Sequence, residues 1–347
     1  MSTSTDPARG RVAVLGMGAV GSRVARQLIA TDPGIEVVVS DADRERLDRT
    51  APTLGSGAIV DSAAGDVAAL LRRHGIAVLV VATPAGRHLA PVRHALDAGV
   101  PVVSVSDRLD EVRSMLRLDP IARRRGVPLL VGAGFAPGLT GLLARHVGSW
   151  FDVVDEIHMA TVGTGGPACA RQHHRALGSP SLDWRDGSWR RRPGGSGREL
   201  VWFPEPIGGA DCYRAALPDA VLAKPWFPDA CRITARMAAT RQDRFTAWLP
   251  MLSPPHAEGG DGAVRVEVRG RVGTTRRVEV VGAVQRPAVA AATVAATVAE
   301  LATAVPHGGR VGGPGARGLA GIPDGRDVLA RLAQRGLTTQ IFDGLSV

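Results

Sequence analysis

Residues 11–30 read RVAVLGMGAVGSRVARQLIA. An apolar run, Val12 to Leu15, leads into Gly16-Met17-Gly18-Ala19-Val20-Gly21, and Val20, Val24 and Leu28 then recur at the spacing of one helix face. The reading is strand, glycine turn, helix. In such a unit the first glycine permits the tight turn, the second lets the backbone approach a pyrophosphate, and the third lets the helix lie close to the strand. The opening N–H groups of the helix have no internal partners and carry the positive end of its dipole, so Gly16, Gly18, Ala19, Val20 and Gly21 are the expected phosphate cradle.

The glycine pattern gains weight from the next strand and the acid at its end. Residues 35–39 form a second apolar run, and Asp41 stands 20 residues after Gly21. A carboxylate there accepts hydrogen bonds from the adenosine ribose hydroxyls and repels a 2′-phosphate, which points to NAD. Arg44 and Arg46 come closely enough after it to pair with a 2′-phosphate, so NADP stays open.

Working outward, short β-branched runs keep alternating with helical patterns: strands near 58–60, 76–82, 100–105 and 127–131, with helical stretches at 66–74, 94–98 and 109–125. This alternation predicts an α/β fold, a doubly wound parallel sheet of about six strands of the Rossmann type. Ligands of such sheets lie at the carboxyl ends of the strands. That rule singles out Ala82-Thr83-Pro84 beside the nicotinamide ribose, Ser106-Asp107, and the glycine-rich 132–138 loop, whose backbone is expected to pass close to something.

From residue 151 the texture changes. All six tryptophans lie at Trp150 or later, and Gly/Pro/Arg connections lengthen. The segment 184–198, with Arg185, Arg190, Arg191, Arg192 and Arg198, reads as a mobile surface loop. Strands are expected at 153–162, 199–203, 263–270 and 276–284, the last two as an antiparallel hairpin alternating Val with Arg or Glu. Then Val294, Val298, Leu301 and Val305 mark a helical stripe. The expected organisation is a dinucleotide-binding Rossmann domain over 1–134, an α+β substrate and dimerisation domain with a mixed sheet over 135–284, and a helical segment over 285–347 that returns to the first domain.

Composition narrows the partners. The chain has 347 residues, 45% apolar and 22% charged, enough for two packed domains. Its net charge of +9 is almost all arginine, since Lys224 is the sole lysine; the arginines are spread along the chain with acids between them and aromatics are only 4%, so neither a stacking platform nor a basic stripe for nucleic acid is evident. Cys169, Cys212 and Cys231 form no C-x-x-C pair, and a reducing cytoplasm fits. The first ten residues lack an apolar leader, and the most apolar stretch, 288–305, is broken by threonines and Glu300, so it reads as a buried alanine-rich helix rather than a membrane span.

Several motifs together resemble the saccharopine dehydrogenase-like family of NAD(P)-dependent oxidoreductases: G-M-G-A-V-G at 16–21, V-V-A-T-P at 80–84, G-V-P-V-V-S-V-S-D at 99–107, G-A-G-F-A-P-G-L-T at 132–140 and G-A-V-Q-R-P-A-V-A-A at 282–291. They cover the nucleotide half and the late helix, and the middle poorly. The resemblance implies hydride transfer between nicotinamide C4 and a carbon bonded to nitrogen, in a small amino acid-derived amine, imine or related carbonyl compound, and a homodimer. It also places Gly134 and Phe135 at the substrate. Family members often carry an acid where this chain has Ala136.

Such chemistry needs an acid or base beside the hydride carbon, a role that histidine fills near neutral pH. The densest polar group is Arg171-Gln172-His173-His174-Arg175. His173 and His174 are the catalytic candidates from the second domain and Asp107 from the first, with His158, Asp211, Tyr213 and Lys224 behind them; Arg171 or Arg175 suits a substrate carboxylate. The cysteines and histidines show no ligand spacing, so no metal is expected. Two other readings stay open: a synthase or transferase that recycles bound NAD, and a dinucleotide sensor without catalysis.

Overall fold

Val12, Ala13 and Val14 are fully buried because β1 (Arg11–Leu15) runs through the middle of a sheet covered on both faces. The computed structural model describes residues 10–61, 66–251, 259–303 and 310–342. Around β1 the first half alternates as read from the sequence: α1 (Gly21–Thr31), β2 (Glu36–Ser40), α2 (Arg44–Thr50), β3 (Ala58–Val60), α3 (Val67–His74), β4 (Ile76–Val81), α4 (Leu89–Asp97), β5 (Val102–Ser104), α5 (Leu109–Leu116), α6 (Asp119–Arg125) and β6 (Pro128–Val131). The helical stretch at 109–125 is two helices, since Pro120 sits in the first turn of the second, where its missing N–H costs nothing.

The rest of the chain builds a second layer and then returns to the first: α7 (Leu139–Gly148), β7 (Val153–Val162), α8 (Pro167–Leu177), β8 (Ser181–Arg185), β9 (Ser188–Arg192), β10 (Glu199–Trp202), β11 (Gly209–Arg214), α9 (Asp219–Ala223), β12 (Arg232–Ala238), α10 (Arg241–Thr246), β13 (Gly262–Val272), β14 (Thr275–Gln285), α11 (Pro287–Thr303), β15 (Gly315–Arg317), α12 (Gly325–Gln334) and β16 (Gln340–Phe342).

The first sheet is parallel throughout, in the order β15-β6-β5-β4-β1-β2-β3. From β6 to β3 this is the doubly wound Rossmann order, with its switch point beside β1. The second sheet is mixed: β10-β11-β12-β7-β13-β14-β16, with β7 and β12 parallel and their other neighbours antiparallel.

Two expectations change. The tail is not only helical: β15 adds a seventh strand to the Rossmann sheet and β16 an edge to the other. Three-residue strands owe their place to the neighbour's open hydrogen bonds, and Gly-Ala-Arg carries no apolar pattern to announce one. The arginine-rich stretch at 184–198 is not a mobile loop either. β8 and β9 pair across Asp186-Gly187, both at positive φ (47° and 77°), and Trp184 lies edge-on to Trp189 across the strands with ring centroids 5.2 Å apart. Asp-Gly between two tryptophans is a hairpin signal that the surrounding arginines obscured.

Helix α11 joins the layers. All its residues but Val289 and Thr303 are buried, and it packs on α1, α12, β4 and β5, approaches its alanines make short. Its buried Glu300 is held by α12, where Arg331 reaches one carboxylate oxygen at 3.4 Å and Arg335 the other. Arg335 also donates to Thr297 at 2.9 Å and to Thr31 of α1 at 3.0 Å. Among the described residues no helix is long and apolar enough to cross a membrane. Arg335→Ala, which leaves Glu300 with one cation, lowers unfolding stability by about 2 kcal/mol, read from the denaturant midpoint; an unchanged midpoint would show that this pair does not anchor α12.

Candidate active site

The glycine turn is built by close contacts that no side chain would survive. A Cβ on Gly21 would stand 1.8 Å from the Gly16 carbonyl oxygen, and one on Gly16, already at φ +93°, would meet the Ala82 carbonyl at 2.7 Å. Gly18 is the opposite case: a Cβ there would meet no protein atom within 4 Å. The space above Gly18 belongs to a cleft of about 1130 Å³ that Gly16, Gly18, Ala19 and Val20 line, whereas Gly21 sits behind them. A turn with bare backbone facing a cleft at a helix N-terminus fits a dinucleotide pyrophosphate.

Asp41 lies in the same cleft with a largely buried side chain. One of its carboxylate oxygens accepts the Met17 N–H at 2.6 Å, the other the Asp43 N–H at 2.8 Å, and Arg46 approaches at 3.3 Å. The acid after β2 therefore fixes the glycine turn as well as lining the cleft beside it. Arg46 and Arg49 line the cleft beside it, which keeps a 2′-phosphate in play.

Beyond the turn, the ends of β4 and β5 are tied by a buried network. His88, fully buried, has Nε2 2.8 Å from the Thr83 carbonyl and Nδ1 2.9 Å from Ser104 Oγ. A carbonyl can only accept, so Nε2 carries the proton and Nδ1 receives the serine hydroxyl. Burial holds this imidazole's pKa down, in keeping with the neutral form. Glu111 accepts from the Gly86 N–H at 2.8 Å, the His88 N–H at 2.7 Å and the Ser106 hydroxyl at 2.6 Å. Four side chains thereby fix Ala82, Thr83 and Pro84 on one cleft wall and Asp107 on the next. Gly134, Phe135 and Ala136 continue the wall; the close approach expected of their loop is to itself, a Cβ on Gly138 falling 2.2 Å from the Gly134 carbonyl.

The opposite wall is α8 and the Gly163–Gly166 turn before it. Cys169, Arg171, His173 and Arg175 all face the cleft. His173 Nε2 is 3.5 Å from Asp107 Oδ2 and 3.6 Å from Cys169 Sγ, and Cys169 Sγ is 3.5 Å from the same Asp107 oxygen. Burial raises the Asp107 carboxyl, offset in part by His173, and lowers His173. It also pushes the Cys169 thiol well up, with the Asp107 charge adding to the effect.

His174, the other catalytic candidate, is not in this group. One residue on, a helix has turned by about 100°, and His174 Nε2 faces the Leu249 carbonyl at 2.9 Å. The secondary candidates are committed elsewhere: His158 to Thr234 and Glu156, Asp211 to Arg198, Lys224 to the Phe227 and Pro228 carbonyls and the Trp184 ring, and Tyr213 to a core where it is 1% exposed. Cys169 was missed. It stands one helical turn from His173, so the sequence did hold a ligand-like i, i+4 pair; Asp107, 62 residues earlier, has no sequence signal linking it to them.

Fold and cleft together define an NAD(P)-binding Rossmann protein with a second, mixed-sheet layer over the sheet's carboxyl edge. Residues 10–133 match the GFO/IDH/MocA family model, an oxidoreductase family with an NAD-binding Rossmann fold. The family model thus covers the nucleotide-binding part of the chain, and the saccharopine dehydrogenase resemblance returns as a likeness of fold. Myo-inositol dehydrogenase Hyg17 of Streptomyces leeuwenhoekii is 33% identical over 138 residues, 39% of this chain and 41% of that protein, so the chain spans about two fifths of the length of this curated relative. Saccharopine dehydrogenase (L-Glu forming) of Saccharomyces cerevisiae superposes with a TM-score of 0.68 over 96% of this chain and 100% of that chain, at 16% identity. DAP dehydrogenase of C. glutamicum in complex with DAP gives 0.49 over 94% and 96%, at 14% identity.

Because the room at Gly18 is cleft rather than protein, Gly18→Val folds normally and loses NADH binding by calorimetry; binding equal to wild type would remove the cradle from this turn. Asp41→Asn keeps one acceptor oxygen where the wild type offers two, to the Met17 and Asp43 N–H groups, and removes the charge that repels a 2′-phosphate, so the NADPH-to-NADH affinity ratio rises about tenfold, or ~1.4 kcal/mol. An unaltered ratio would take coenzyme choice away from Asp41.

Proposed function

We propose that this protein is an NAD(P)-dependent oxidoreductase acting on a small carboxylate-bearing amine, imine or carbonyl compound, an amino acid derivative in the simplest case. The observation that carries the proposal is the single cleft joining the bare glycine turn to the Asp107–Cys169–His173 cluster. When bound, the cofactor donates or accepts a hydride at its nicotinamide. Everything else falls to the chain. Ala82, Thr83 and Pro84 form the wall for the ring's ribose, Phe135 shields the mouth from water, and the substrate nitrogen or oxygen faces Asp107 and His173.

The substrate class rests on charge. Arg171 and Arg175 stand exposed on the cleft side of α8, and neither pairs with a carboxylate among the described residues. A bidentate arginine grips a carboxylate well, whereas a neutral polyol of the inositol kind would leave both cations unused. Two further features suit an anion: α8 turns its N-terminus to the cleft, and that helix starts from Gly166 and Pro167.

The test is a panel of amino acids, keto acid and amine pairs, and polyols, monitored at the reduced-nicotinamide absorbance. Turnover is expected with carboxylate-bearing members, and Arg171→Ala raises KM for them about tenfold or more with kcat little changed. Turnover of polyols alone would overturn the substrate class. Cofactor that co-purifies and cycles with no net redox would replace the oxidoreductase by a synthase or transferase.

A further inference from the structure

The three side chains at the far end of the cleft converge on one point. In a relay of thiol, imidazole and carboxylate, the two ring nitrogens face different partners, one the thiol and one the acid. Here the same nitrogen, His173 Nε2, faces both Cys169 Sγ at 3.6 Å and Asp107 Oδ2 at 3.5 Å, and sulfur and oxygen are 3.5 Å from each other. These distances form a nearly equilateral triangle, long for an N–H···O bond. They match another figure closely. With metal bonds of about 2.3 Å to sulfur and about 2.0–2.1 Å to nitrogen and oxygen at tetrahedral angles, ligand atoms stand about 3.3–3.6 Å apart.

We propose that Asp107 Oδ2, Cys169 Sγ and His173 Nε2 bind a zinc ion whose fourth tetrahedral position opens into the cleft. The inference rests on the oxidoreductase reading only for its use, namely that the open position takes the substrate's oxygen or nitrogen or a water. The donor set decides the ion. A thiolate excludes magnesium and calcium, and one sulfur, one imidazole and one carboxylate in tetrahedral array suit zinc. Three protein ligands and an open place are the pattern of a catalytic rather than a structural site.

The surroundings agree. Cys169 and His173 lie one turn apart on one face of α8, so the helix presets their spacing. Asp107 is held from behind, since Glu111 grips the Ser106 hydroxyl and the Gly86 and His88 N–H groups and so fixes the loop that carries it. A thiol bound to a dication is deprotonated outright, so the sulfur binds as thiolate.

The test uses the full chain without a histidine tag. Metal analysis of protein purified without chelators finds about one zinc per chain. The chelated protein, titrated with cobalt(II), gains the intense visible bands of a tetrahedral ion and a near-ultraviolet thiolate-to-cobalt band. Loss of an outer partner alone costs 10–100-fold in metal affinity, so Cys169→Ser, His173→Gln and Asp107→Asn each weaken cobalt binding by more than about 100-fold. Cys231→Ser, at an exposed cysteine, leaves binding unchanged. Circular dichroism and NADH calorimetry run on every variant; NADH binding that persists while metal binding is lost separates this site from the dinucleotide reading. Wild-type protein that holds no zinc and shows no thiolate-to-cobalt band would overturn the proposal, as would variants that bind cobalt as wild type does.

Discussion

No side chain fits between Gly21 and the carbonyl of Gly16, and the nucleotide end of the molecule is arranged around that exclusion. A Cβ at Gly21 would lie 1.8 Å from the oxygen, well inside any contact distance. Bare backbone there lets α1 start directly above β1, and the turn then folds back until Gly16 touches the end of β4 at Ala82. Residues 18–20 are left lining the cleft, with Asp41 bracing Met17 from the side. The glycine turn and the Ala82–Pro84 wall of the cleft are thus one packing event.

A second constraint sets the distance from this turn to the chemistry. The two sheets share a core, and α11 runs through it, so far buried that its lone acid is paired with two arginines, Arg331 of α12 and Arg335 just after it. Pro287 and Ala291 of that helix also line the cleft, as does Asp107. Rigid elements on both sides therefore hold α8 over the carboxyl edge of the Rossmann sheet. Burial at that meeting point makes charge costly, which is why the Asp107 carboxyl and the Cys169 thiol are raised and His173 is lowered. Such a cluster is stable only in company with a cation, a proton or a substrate group that offsets its charge.

The sequence made the parallel sheet legible because the Rossmann unit is local: strand, turn, helix and acid lie within about 30 residues. Its neighbours were legible from alternation, and the carboxyl-end rule brought Thr83, Asp107 and Phe135 into view from the strand pattern alone. The features that escaped depend on partners distant in the chain. Gly315–Arg317 becomes a strand only because β6 offers it an edge. Asp186-Gly187 was legible as a turn, but the arginines beyond it drew the reading toward a loop. His173 and His174 were indistinguishable in a string of letters; the phase of α8, set by what its buried face packs on, separates them. Cys169 shares an i, i+4 spacing with His173 that the sequence does hold, but its third partner, Asp107, comes from the other sheet and has no local signal.

The structure of the NADH complex tests the central claim most directly. The account predicts the pyrophosphate on the N–H groups of residues 18–20 and the nicotinamide between Pro84 and the Asp107–Cys169–His173 cluster, with C4 toward the cluster. A complex with the glycine turn empty, or with the ring directed to solvent and the cluster sealed off by the chain's own side chains, would contradict it.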